Sequence, residues 1–379
     1  MALIKKLENI GNAIREKTGK TDLLTLDEMV TEIEAIETGG GSAELPEEAY
    51  LITGSCIYRF CKGGWDWFLR EYGDKVTTEN ITEASYMFDG SKIEEIPFDL
   101  NFKENDTTYR ELAYLVRDAA LLKRMGKIVN AYPGNMNYIF QGASCLRELP
   151  EFVNTNFNRI HTYNYANISR MFHSCYSLRR IPEEFLKELY GIMSYSYTVF
   201  YSGFTSCYAL DELIGLNPQS AALTSNAFSN TFNKCYRLKD IIFAVQEDGT
   251  PYSVNWKNQT IDLTKYVGHT DAPAYQWGKY IFVDSFNSGI TADKEVKNPD
   301  AYQRLKDDPD WFTEQEAYSR YNHDSAVNTI NSLPSTSNTG CTIKFKGAAG
   351  SATDGGAINT LTEEEIAVAT AKGWTVTLV

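Results

Sequence analysis

The chain has 379 residues, 43% of them hydrophobic and 23% charged, with a formal net charge of −14; that is the composition of a folded protein with room for more than one domain. The acidic excess, uninterrupted by any basic block, argues against the phosphate-binding surfaces that nucleic acids and anionic membranes require. No apolar run approaches the roughly 20 residues of a membrane helix, and the opening stretch "MALIKKLENIGNAIREK" is charged every few positions, unlike the apolar centre of a signal peptide. The expectation is a protein made in a cytoplasm and not exported by the usual route.

At the N-terminus, Ile4, Leu7, Ile10 and Ile14 share the stripe of a short amphipathic helix. After "TGKTD", Thr25 and Glu28 form a capping box, and Leu26, Met29, Val30, Ile33 and Ile36 line a second helix. Two helices this short bury too little surface to stand alone. Residues 1–36 therefore read as a helical docking module, with Ile4, Leu7, Ile10, Ile14, Met29 and Ile33 meeting a partner. The Gly-rich stretch at 37–50 reads as a linker.

Residues 51–258 carry a repeated phrase. Phe172 is followed by Cys175, Leu178 and Ile181; Phe204 by Cys207, Leu210 and Leu213; Phe232 by Cys235, Leu238 and Ile241. Going backwards, Phe140 leads Ala143, Leu146 and Leu149, Val116 leads Ala119, Leu122 and Met125, and Phe88 leads Ser91, Ile93 and Ile96. The spacing lies within the roughly 20–50 residues that mark stacked repeats. The third position after the anchor takes only Cys, Ala or Ser, a slot for close approach, and the aliphatic positions fill the interior. Pro97, Pro150 and Pro182 follow, where strand pairing would end.

Residues 259–322 read as an insertion, first strand-rich and then helical, of no assignable fold. Residues 323–379 read as two helix–strand units. His323–Leu333 is a helix and Cys341–Gly347 a strand; a second helix is capped by Thr362 with Glu365 and stopped by Gly373; Trp374–Val379 is the closing strand.

No catalytic phrase of the hydrolase, metalloprotease or nucleotide-binding kind is present. The 7 cysteines include no CxxC pair, and no His lies near Cys56 and Cys61 to complete a zinc site, so they read as buried apolar side chains. His161, His173, His269 and His323 are isolated. "DDPD" at Asp307–Asp310 reads as a solvated helix end, since Pro309 interrupts it and the EF-hand spacing is missing. No cofactor, metal or enzymatic activity is expected. The functional lead is tyrosine, present in 24 copies. Tyr163 and Tyr165 in one cluster, and Tyr195, Tyr197 and Tyr201 in another, are candidates for an exposed aromatic shelf; the competing reading packs them against a neighbouring coil.

The phrase at Phe172–Ile181 and its copies resembles the BspA-like leucine-rich repeat, of form F-x-x-C-x-x-L-x-x-I. That resemblance implies an α/β solenoid with an N-terminal helical hairpin and a C-terminal αβ cap, used for adhesion and recognition. The segment "IGNAIREKTGKTDLLTLDEMVTEIEAI" resembles a leader on tail-fibre and appendage proteins of bacteriophages, and "LTEEEIAVATAKGWTVTLV" resembles the close of phage proteins with such repeats. The resemblances imply a virion protein, in the tail or on the head, that attaches to a host or mucosal surface. Its partners would be other virion proteins through residues 1–36, a host-surface glycan or protein, and further copies of the chain, a trimer included. A bacterial cell-surface adhesin is the alternative, and a glycan-degrading tail spike a third.

Overall fold

A computed structural model describes residues 50–55, 69, 73–104, 110–157, 170–189, 202–219, 227–235, 238–264, 321–345 and 361–379. The chain divides into two units, Met1–Ala49 and Tyr50–Val379, and all described residues belong to the second. The helical module at 1–36 with its docking stripe, most of the linker, and all but the ends of 259–322 lie outside the described residues.

Each copy of the phrase folds as a pair of tight turns around its aromatic anchor. Two residues before the anchor the backbone is left-handed, at Tyr86, Tyr114, Tyr138, Arg170, Ser202 and Asn230. Two residues after it the backbone is left-handed again, at Gly90, Asp118, Gly142, Ser174, Ser206 and Lys234. The N–H of each anchor then donates to the carbonyl just before the next anchor. Phe88 bonds Leu115, Val116 bonds Ile139, Phe140 bonds Met171, Phe172 bonds Gly203 and Phe204 bonds Thr231, at 2.8–3.2 Å. Copies of unequal length are thereby held in one register.

The register stacks the interior. The rings of Phe140, Phe172, Phe204 and Phe232 follow one another at 5.7, 5.6 and 6.1 Å, nearly parallel. Beside them the thiols of Cys175, Cys207 and Cys235 donate to the carbonyls of Phe140, Phe172 and Phe204 at 3.0–3.1 Å. The small slot thus holds a side chain that fills space and also satisfies a carbonyl. Leu122, Leu146, Leu178, Leu210 and Leu238 are fully buried beneath.

Short parallel strands complete the copies. β1 (Tyr50–Ser55) pairs with β2 (Val76–Glu83), and β3 (Glu95–Ile96) with β6 (Arg124–Met125). β4 (Leu100–Asn101), β7 (Ile128–Val129) and β9 (Phe152–Val153) form a three-stranded sheet, and β5 (Arg110–Glu111) pairs with β8 (Pro133–Asn135). After α1 (Glu183–Glu188), β10 (Glu212–Leu216) pairs with β11 (Asp240–Phe243). β12 (Ser253–Val254) pairs with β14 (Ser335–Thr336), while β13 (Thr260–Asp262), β15 (Cys341–Phe345) and β16 (Trp374–Leu378) form the last sheet with α2 (His323–Ser332) and α3 (Glu363–Ala371).

This arrangement corrects the expected fold class. The α/β solenoid with a helical hairpin and an αβ cap does not describe it: among the described residues the strands fall into seven separate parallel sheets of two or three strands, accompanied by three short helices, one of them inside the repeat stretch. The physical reason lies within the phrase. Its apolar offsets fix burial and leave the backbone open. Left-handed turn residues consume much of each copy, and Pro97, Pro150 and Pro182 donate no N–H. What remains are strands mostly two residues long, too short to merge into one sheet. Besides Glu183–Glu188, the described repeat stretch holds a 3-10 turn at Gly73–Lys75.

The C-terminal elements follow local sequence signals closely. Asn322 caps α2, its side chain accepting from the Ser325 N–H at 3.0 Å. Thr362 and Glu365 form the capping box that opens α3. Gly373 has φ +85° and sits against the Thr336 carbonyl, where a Cβ would collide. The Trp374 indole N–H donates to the Pro334 carbonyl at 2.7 Å, and its ring meets Trp256 edge-on. One carboxylate oxygen of Glu365 accepts from the Thr362 N–H at 2.8 Å and also lies 3.1 Å from His323 Nε2, joining α2 to α3.

Leu178→Ala is expected to destabilise the protein by about 2–5 kcal/mol, measured by urea unfolding; a change within about 0.5 kcal/mol would place Leu178 outside the load-sharing core. The bond to Glu365 raises the His323 pKa above its ordinary 6.5, with Asp324 adding to it. A raised folded-state pKa stabilises below the unfolded value, and that stabilisation is lost as pH rises through the folded value. Melting temperature should therefore fall as pH rises above the ordinary histidine value of 6.5 and through the raised folded-state value, and His323→Gln should flatten that dependence.

Candidate functional site

The left-handed residues before the anchors are half-buried or exposed, save the buried Ser202, while the anchors themselves are buried. In the first three copies they are tyrosines. The rings of Tyr86 and Tyr114 stack at 4.4 Å and 9°, and those of Tyr114 and Tyr138 at 4.9 Å and 7°. All three are half-buried. Arg117 leans on the strip, its guanidinium 4.6 Å from the Tyr114 ring centre and 5.6 Å from that of Tyr86. Asp89 grips the same guanidinium with both oxygens at 2.7 and 2.6 Å, which raises its pKa further and fixes its plane. In the next copy Arg170 takes the tyrosine position and lies 6.0 Å over the Tyr138 ring.

Stacking determines what the strip offers. The ring faces are taken up by one another and by the two arginines, which leaves ring edges and phenol ends, repeated at the spacing of the copies. Such a surface hydrogen-bonds along a line, and it loses little rotamer freedom on binding because the rings are already held.

Past Arg170 the turn face changes character. His173 follows its anchor by one residue, and its Nδ1 lies 3.0 Å from the Ser174 hydroxyl. Burial pushes its pKa down to about 4, and the charges of Arg170 and Lys234 push the same way, so the ring is neutral at physiological pH. Burial likewise lowers the Lys234 pKa.

The cysteines play another part. Burial pushes the thiols of Cys175, Cys207 and Cys235 well above their ordinary range, and Cys145 to about 11. They are protonated donors inside the core, without nucleophilic character.

The recognition tyrosines expected from sequence, Tyr163, Tyr165, Tyr195, Tyr197 and Tyr201, lie outside the described residues. The repeat positions Phe88, Phe140, Phe172, Cys175, Leu178, Ile181, Phe204, Cys207, Leu210, Phe232, Cys235 and Leu238 are buried together. Sequence reasoning missed the strip itself. Its signal was available: "YMF", "YLV" and "YIF" place Tyr two before the anchor in three consecutive copies. Comparison with known proteins gives no match: no family model, no curated protein and no solved structure resembles the chain.

Tyr114→Ala removes the central ring, and with it the stacking contacts to Tyr86 and Tyr138, and should cost about 1–3 kcal/mol. Tyr114→Gly should cost less, because glycine adopts the left-handed backbone that charges other residues about 1–2 kcal/mol. Denaturant unfolding compares the two; a glycine variant less stable than the alanine variant would show that residue 114 carries no backbone strain.

Proposed function

We propose that the chain is a non-enzymatic structural protein of a bacteriophage virion, a tail or head appendage whose turn face attaches to a host or mucosal surface. One observation carries the attachment reading. Tyr86, Tyr114 and Tyr138 occupy left-handed positions that suit Gly, Asn or Asp, yet they form a half-exposed stack braced by Arg117. Packing alone would be served by small residues there, so the strained aromatics point to recognition. The virion reading rests on the likeness of the leader and of the closing segment to phage appendage proteins. In it, residues 1–36 dock to other virion proteins or to further copies of the chain, and the repeat body reaches the surface.

The test joins two measurements. Mass spectrometry of purified particles should find the chain. A Tyr86→Ser, Tyr114→Ser, Tyr138→Ser variant, folded by circular dichroism, should lose binding to host cells or mucin at least about tenfold. Absence from particles overturns the virion reading, and unchanged surface binding by the variant overturns the attachment reading.

A further inference from the structure

Among the described residues, the last sheet ends on an open strand edge. β16 borders β15 alone. The Val379 N–H donates to the Phe345 carbonyl at 3.0 Å, and the register sets Phe345 beside Leu378. Backbone groups alternate along a strand, so Thr375 and Thr377 turn theirs to β15 while Trp374, Val376 and Leu378 turn theirs outward. No described residue meets those outward groups. Edges of this kind are usually blunted by a charge, a proline or a bulge. β16 has none of these: it reads Trp-Thr-Val-Thr-Leu, and its ladder with β15 runs without a slip. β1, which also borders one strand, slips register twice about Gly54.

The same end exposes apolar surface. Of the five large apolar side chains exposed among the described residues, three lie here: Val368 at 37%, Leu378 at 41% and Val379 at 66%. α3 carries no charge after its first turn, yet Ala369 is its only buried residue, and Ala367 and Ala371 are exposed. A helix of that composition ordinarily lies under cover. Trp374 and Ala369 belong to the buried core, with Ile366 and Val376 packed against it. α3 therefore lies over the sheet face that carries Trp374, Val376 and, by alternation, Leu378.

We infer that β16 is a dimer edge: it pairs antiparallel with β16 of a second copy of the chain, about a two-fold axis at Val376. The sequence of the strand selects that occupant. In this register Val376 faces Val376, Trp374 faces Leu378 and Thr375 faces Thr377. The outward groups of Trp374, Val376 and Leu378 then exchange hydrogen bonds across the axis. Threonine meets threonine on one face, apolar meets apolar on the other, and no charge stands opposite another. The axis runs perpendicular to the sheet, which brings both α3 helices to one side of it, where Ala367 and Ala371 permit close approach. Such an interface closes on itself, whereas head-to-tail pairing with β1 would meet an irregular ladder and run on into a filament. The pairing uses neither the tyrosine strip nor residues 1–36, so it stands apart from the attachment reading.

Sedimentation velocity of the full chain at about 1–100 µM measures its association. Thr375→Lys with Thr377→Lys sets lysine opposite lysine across the axis and should weaken association about tenfold or more, halving the mass of the assembly at the lower concentrations. Thr375→Lys with Thr377→Glu sets each lysine opposite a glutamate of the second copy and should restore it. Both variants are compared with the native chain by circular dichroism melting. In the native chain the Val376 amide, which has no partner within one copy, should exchange its hydrogen more slowly at the upper concentration than at the lower. A chain that stays monomeric over the range leaves the edge to a strand of a different protein, or to none, and overturns the inference. So does a mass unchanged by the lysine pair, an equal loss in both variants, or a Val376 exchange rate independent of concentration.

Discussion

The amide of each anchor residue must reach the carbonyl that precedes the next anchor, and the rest of the body follows from that bond. It forms only because the backbone turns left-handed on both sides of the anchor, at Tyr114 and Asp118 or at Arg170 and Ser174. The double reversal carries the anchor side chain inward and leaves the flanking residue half-buried or exposed in every copy but that of Ser202. Core and surface are therefore set by one local geometry. The residue two before the anchor bears conformational strain and gains a fixed direction.

The thiol slot shows how closely side-chain chemistry is matched to this geometry. The Phe140 carbonyl already accepts from the Ala143 N–H at 3.0 Å, and the Cys175 thiol brings a second donor from the following copy at the same distance. Alanine, as at Ala119 and Ala143, fits the space and offers no donor. Serine fits the space but holds a more strongly hydrated hydroxyl, costlier to bury. A weak donor with an apolar body suits a slot that is dry on all sides.

Sequence made some of this legible and hid the rest for identifiable reasons. The offsets of Phe172, Cys175 and Leu178 could be read because burial selects residue type directly. Thr362 with Glu365 could be read because a capping box is a local bargain between four residues. The left-handed turns were hidden because Tyr, Arg and Lys occupy positions where Gly, Asn or Asp give the usual signal. Without those turns, periodic apolar residues suggested longer strands and more helix than form, and the expected fold class failed there. The tyrosine strip was hidden for a related reason: its tyrosines are thinly spaced and related only through the repeat, whereas the densest tyrosine clusters lie elsewhere in the sequence.

The sealed thiols have a consequence for where such a chain can work. The described cysteines, Cys145, Cys175, Cys207, Cys235 and Cys341, are all free and all buried. Cys175, Cys207 and Cys235 sit one copy of the phrase apart beside the phenylalanine rings, and their protonated state keeps them slow to react with oxidants or with one another. The described thiols therefore stay out of shuffled crosslinks in oxidising and reducing media alike, and the core they line holds its shape without a disulfide among them.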